Sequence, residues 1–181
     1  AKRGSPTGGY KDTIPPLMVN ASPKNKTTFF KSKKITITFD EYVKLNDINQ
    51  QLIISPPIGK DKYTVEPQST ISKKIKIEFT DSLSLAEKTT YTFNFGSSVE
   101  DNNEANTLPF FSYTLSTGPV IDSLFLKGKV SDAFEEDSER FISLYLYPID
   151  STHNDSTIYL KKPFYVTSTL DTVLYNFQNL R

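Results

Sequence analysis

Apolar and polar residues alternate with a period of two along most of this chain, the pattern of strands that bury one face. Ile35, Ile37 and Phe39 alternate with Thr36 and Thr38, and Ile75, Ile77 and Phe79 with lysine and glutamate. Tyr91, Phe93 and Phe95 alternate with Thr92 and Asn94, and Phe111, Tyr113 and Leu115 with Ser112 and Thr114. Two shorter runs, residues 52–54 and 63–65, stop at Ser55-Pro56-Pro57 and before Pro67. Strands this short, separated by turn signals, predict a β-sandwich. Residues 47–51 or 83–88 have room for a single helical turn, and neither supports a longer helix.

The alternation restarts after a boundary at Gly118 to Ile121. Leu124, Leu126 and Val130 line up with Gly128, and a glycine inside a strand predicts a bulge or a close approach. FISLYLY at 141–147 is the most strongly β-forming stretch. Residues 158–160, 164–167 and 173–177 read as further strands. Ahead of all this, residues 1–13 hold three glycines and a proline with hardly any apolar side chain, and read as a flexible tether. Three segments result: a tether at 1–13, a first domain at 14–118 and the start of a second at 119–181.

Composition narrows the chemistry. The 181 residues are 36% hydrophobic and 13% aromatic, so large rings can supply a core to thin β-layers. Twenty-one basic and 21 acidic residues cancel, and without a basic stripe the chain is not expected to bind nucleic acid. One basic cluster, Lys24, Lys26, Lys31, Lys33 and Lys34, borders the strand at 35–39. It reads as guarding a strand edge, with an anionic ligand as the alternative. No apolar run approaches the length of a helical membrane span. The absence of cysteine removes disulfides, thiol catalysis and thiolate metal sites.

Candidate chemistry is sparse. His153 is the single histidine, in a polar loop, and no Gly-flanked Ser offers a nucleophile elbow. Asp40 and Glu41 are adjacent at a strand end and point apart, which makes a poor acid–base pair. Glu100, Asp101, Asn103, Glu104 and Asn106 gather oxygen ligands in one turn. A Ca²⁺ site at Asp101, Asn103 and Glu104 is the alternative to a purely structural turn. The acidic run at 132–139 reads as a solvated loop or a contact for a basic partner. Phe29-Phe30, Phe110-Phe111 and the Tyr145/Tyr147 pair each place at least one ring away from any single core face, where it becomes contact surface. No catalytic residue and no cofactor is expected.

PP-x3-N-x-SP at Pro15 to Pro23, the ITITFDEYV strand, the Ser55-Pro56-Pro57 break and the run TTYTFNFG…DNNEAN…FSYTLSTG resemble the bacterial immunoglobulin-like module of Bacteroidota surface lipoproteins. The order GKV, ISLYLYP, KKPFYVTSTLDT, YNFQNL is similar to the transthyretin-like or carboxypeptidase-regulatory-like sandwich, cut short at Arg181. The resemblance implies an all-β fold: an immunoglobulin-like β-sandwich followed by a second, incomplete prealbumin-like one, with more chain beyond. It implies an outer-membrane protein on the extracellular face, lipid-anchored through a Cys preceding Ala1. From such a Cys an extended tether spans on the order of 40 Å. The function expected is that of a non-enzymatic accessory or scaffold subunit of an outer-membrane β-barrel complex, for barrel assembly, type IX secretion or nutrient transport, alongside other surface lipoproteins. The alternatives are a glycan-binding module of a nutrient-uptake system, weakened by the absence of Trp, and a spacer for a domain beyond Arg181. Finally, six of the twelve Asp residues are followed by Ser or Thr and then by an aliphatic residue or Thr. This resembles the O-glycosylation signal of Bacteroidota exported proteins, with Thr13, Ser82, Ser123, Ser151, Ser156 and Thr172 as acceptors. Turn formation by Asp-Ser and Asp-Thr is the alternative.

Overall fold

The computed structural model describes residues 11–131, 142–151, 154–169 and 173–181. The strands in chain order are β1 Met18–Ser22, β2 Lys34–Leu45, β3 Ile53–Ser55, β4 Tyr63–Glu66, β5 Ser72–Phe79, β6 Thr90–Asn94, β7 Val99–Asp101 and β8 Ser112–Ser116. Beyond them lie β9 Leu124–Lys129, β10 Ser143–Leu146, β11 Tyr165–Ser168 and β12 Leu174–Leu180. Two single helical turns, α1 Ile48–Gln51 and α2 Thr157–Leu160, and a 3-10 turn at Lys60–Lys62 complete the described elements.

The period-two pattern becomes two facing sheets. One has the order β1-β2-β5-β4, with β7 pairing the far end of β2, and the other has the order β3-β6-β8. Residues 26–30 extend the second sheet alongside β8: the Lys26 and Phe30 amides donate to the Thr114 and Ser116 carbonyls at 2.8 and 2.9 Å. Inward side chains of the first sheet, Ile35, Ile37, Ile75 and Ile77, are fully buried against Phe93, Phe95, Tyr113 and Leu115 of the second sheet and the residues next to it. Rings bridge the layers. Phe79 of the first sheet lies 6.1 Å from both Phe30 and Phe93 of the second layer, and within that layer Phe93 lies 6.3 Å from its cross-strand neighbour Tyr113. Such separations suit edge and tilted aromatic packing. Tyr113 keeps its hydroxyl satisfied by donating to the Pro23 carbonyl at 2.9 Å, and burial pushes its phenol up to about 12.

The remaining strands form two ribbons, β10-β11 and β12-β9, all antiparallel. They sit on the outer face of the β3-β6-β8 sheet: the Val166 amide donates to Ser55 Oγ at 3.1 Å, and Asn179 Nδ2 donates to Thr92 Oγ1 at 2.7 Å. At the junction, Thr90 Oγ1 donates to Asp122 Oδ2 at 2.8 Å and accepts from the Asp122 amide at 2.9 Å. Gly128 is a close-approach point, since a side-chain carbon there would run into the Tyr175 ring.

Several local readings change. β1 and β7 carry no clean alternation: β1 buries only Ala21 and is interrupted by a register shift between Met18 and Asn20, so only pairing with β2 reveals it. β2 continues to Leu45, which places Asp40 and Glu41 within the strand rather than after it. Of the two segments with room for a helical turn, 47–51 forms one, as α1, whereas 83–88 does not turn helically. Residues 158–160, expected as a strand, form α2 instead. The Thr157 amide donates to the Asn154 carbonyl, and Thr157 Oγ1 accepts from the Asn154 amide, both at 2.9 Å, which starts a helical turn that a short apolar run cannot announce.

Candidate functional site

The acidic turn after β7 is built around one carboxylate. Asp101 is almost fully buried, and its Oδ1 accepts from the amides of Asn103, Glu104 and Ala105 at 2.8, 2.7 and 3.1 Å while Oδ2 accepts from Asn106 at 2.8 Å. Burial pushes this carboxyl up, but the four amides together hold it below the usual aspartate range. Asn106 Nδ2 reaches the Asp12 and Ile14 carbonyls, which ties the lead-in segment to the turn. Glu100 turns away to Lys44 at 3.4 Å and Asn46 at 3.1 Å. Among the described residues no three Asp, Glu or His side chains converge as a metal-ligating group. Burial raises the Glu41 carboxyl, and Asp101, Asp40, Asp12 and Glu104 raise it further by repulsion.

The other sequence-marked residues scatter. Thr13, Ser82, Ser123, Ser151 and Ser156 are all exposed, and Ser82 Oγ lies 3.1 Å from Thr80 Oγ1 and 3.3 Å from Lys62 Nζ. Thr172, His153 and the acidic run at 132–139 lie outside the described residues. The lysine cluster does not guard an edge at β2, because β2 is an interior strand flanked by β1 and β5. Lys34 instead pairs with its cross-strand partner Glu78 at 2.8 Å, and Lys33 with Asp81 at 2.5 Å. In the two Phe-Phe doublets the rings divide as alternation demands. Phe30 and Phe111 join the core, whereas Phe29, Phe110 and Tyr145 are exposed.

Three-dimensional structure adds a cleft that no motif announces. It measures about 600 Å³ at the end of the sandwich where residues 29–33, 79–88 and 117–119 meet. Phe79, Phe30, Leu83, Leu85 and Pro119 supply apolar lining, and Lys31, Lys33, Lys88 and Glu87 the charges. Gly118 lets the walls meet, since a side-chain carbon there would lie 2.8 Å from the Lys88 Cα. The only sequence signal was the Phe29-Phe30 doublet beside lysines.

A model of the bacterial Ig-like domain matches residues 12–117, the stretch that carries both facing sheets. The chain belongs to this family. Bacterial Ig-like domains occur in surface-exposed proteins, and no described helix is long and apolar enough to cross a membrane. No curated protein and no solved structure matches the chain.

Proposed function

We propose that this Ig-like chain is a non-enzymatic, surface-displayed accessory subunit, a scaffold that docks on an outer-membrane β-barrel complex of barrel assembly, type IX secretion or nutrient uptake. A lipid anchor preceding Ala1 holds it at the extracellular face. The observation that carries this reading is the distribution of exposed apolar side chains. Leu124, Phe125, Tyr145, Ile149, Tyr159 and Leu160 are all more than half exposed on the ribbons and their connections beyond the family match. Apolar surface of that extent marks a contact with another polypeptide. That polypeptide is either the partner complex or the remainder of a transthyretin-like sandwich. The ribbons are held against the Ig-like sheet by β3 and β6, so the docking face has a rigid base. Pull-down of the tagged protein from detergent-solubilised outer membrane tests the reading: co-purification of a β-barrel subunit in fixed proportion is expected, and recovery as a free monomer overturns it.

Exported proteins of this kind are also proposed to be glycosylated at the Asp-Ser/Thr positions. The exposure of Thr13, Ser82, Ser123, Ser151 and Ser156 is what supports it. Intact-mass measurement of the protein from its native cell is expected to show hexose-sized increments, and an unmodified mass rejects the idea.

A further inference from the structure

Two residues on the walls of the basal cleft adopt backbone conformations that their side chains disfavour. Phe29 has φ 50° and Lys88 has φ 49°, both in the left-handed region. A bulky side chain at positive φ is a genuine outlier, and such outliers persist where the surroundings over-determine them. Here they do. The Phe29 amide donates to the Gly118 carbonyl at 2.9 Å. Thr117 links the Lys88 loop to β8, its amide donating to the Thr89 carbonyl at 3.0 Å and its Oγ1 to the Ala86 carbonyl at 2.7 Å. The result is an aromatic ring that is 62% exposed at the mouth of a cleft whose walls are fixed.

The cleft pairs an apolar floor with a cationic rim. Phe79 and Phe30 are core residues, and Leu83 and Leu85 pack against the core from the side that lines the cleft. Its volume falls within the range of ~300–1,000 Å³ that ligand sites occupy. Of the rim lysines, Lys33 is held by Asp81, whereas Lys31 and Lys88 have no ion-pair partner among the described residues. Glu87 is the one carboxylate among the lining residues. An apolar trough with unpaired ammonium groups at its lip complements a molecule with an aliphatic body and an anionic head.

We propose that this cleft binds a free fatty-acid-type anion, its chain along Phe79, Leu83, Leu85 and the Phe29 ring and its carboxylate at the Lys31 and Lys88 rim. The proposal stands independently of the scaffold reading, because it concerns a small ligand on the Ig-like sandwich and not the ribbons. The test is a titration of the ¹⁵N-labelled protein with sodium dodecanoate below its micellar concentration, followed by amide chemical shifts. Shifts confined to residues 29–33, 80–88 and 117–118 are expected, with those of β11 and β12 unmoved. The Lys31→Glu/Lys88→Glu variant changes two exposed side chains and should keep the thermal midpoint while binding about tenfold or more weakly. Dodecanol should bind the native protein no better than dodecanoate binds that variant. Three results overturn the proposal: no localised shift with dodecanoate, equal binding of dodecanoate by the double variant, or a response only to vesicles of dioleoylphosphatidylglycerol, which would make the surface a membrane contact.

Discussion

The Ig-like sandwich and the ribbons that follow it use the same kinds of residue to opposite effect. Both are strand-rich and aromatic, yet among the described residues only Tyr165 and Phe177 of the ribbons join the buried hydrophobic side chains. In the sandwich two sheets face each other, so inward rings can pack between the layers, as Phe79 does on Phe93. The ribbons are two strands wide, and apart from β11, whose Tyr165, Thr167 and Ser168 are buried, their strands are largely exposed or half-buried. Leu124, Phe125 and Leu126 are successive residues of β9 and all are exposed, so neither face of that strand is covered. Among the described residues, the two buried side-chain polar atoms without a hydrogen-bond partner, Ser168 Oγ and Asn176 Oδ1, also lie in the ribbons. The sandwich is internally complete, and the ribbons derive their order from being seated on it.

The largest test of this contrast is a pair of truncations. Phe93→Ala removes a fully buried ring that contacts Phe79 and Tyr113, and should cost about 3–5 kcal/mol in urea denaturation. Leu160→Ala, at a side chain that is 80% exposed, should stay within about 0.5 kcal/mol. Comparable losses would mean that the ribbons are as integral to the fold as the core.

Next comes the Asp101 turn, where the sandwich relies on one polar group. Asp101→Ala strands four amides and should cost about 2–3 kcal/mol. The sign with pH follows from the lowered carboxyl. The stabilisation is complete above the ordinary value of 3.8 and is lost as pH falls through the lower folded-state value. Stability curves of the native protein and the Asp101→Ala variant should therefore be parallel near neutrality and converge only in that acid range. Convergence well above it would remove the four-amide account.

The smallest effect concerns the seam between the two regions. Thr92→Val keeps a β-branched side chain in β6 but deletes the acceptor for Asn179 Nδ2. Hydrogen exchange at β12 should quicken roughly fivefold, as expected for about 1 kcal/mol of local opening. Exchange at β6 should stay unchanged, because its own ladder is untouched. Equal acceleration in both strands would show that seam and sandwich open as one unit.

The candidate sites divide along similar lines. Asp101 stood out in the sequence because Asp, Asn and Glu cluster there, but which of its groups face its oxygens depends on the backbone of the turn. The five exposed Asp-Ser/Thr positions were legible as motifs, since turns fall on the surface. The basal cleft was not legible. Phe29 and Phe79 are fifty residues apart, and nothing local says that Leu83, Leu85 and Pro119 will line the same hollow.

By itself, then, the sequence determined the class of fold and the identity of most inward residues, because a period of two assigns each side chain to a face without reference to any neighbour. It also located the turns, where proline, glycine and asparagine act within a few residues of themselves. Tertiary structure decided what each face meets. It decided that β2 is interior, so that Lys34 pairs with Glu78 rather than guarding an edge, and that 157–160 coils through a bond to Asn154. It decided, too, that the ribbons rest on Thr92 and Ser55 while β9 stays bare. These outcomes depend on contacts between distant segments, which a local pattern does not encode.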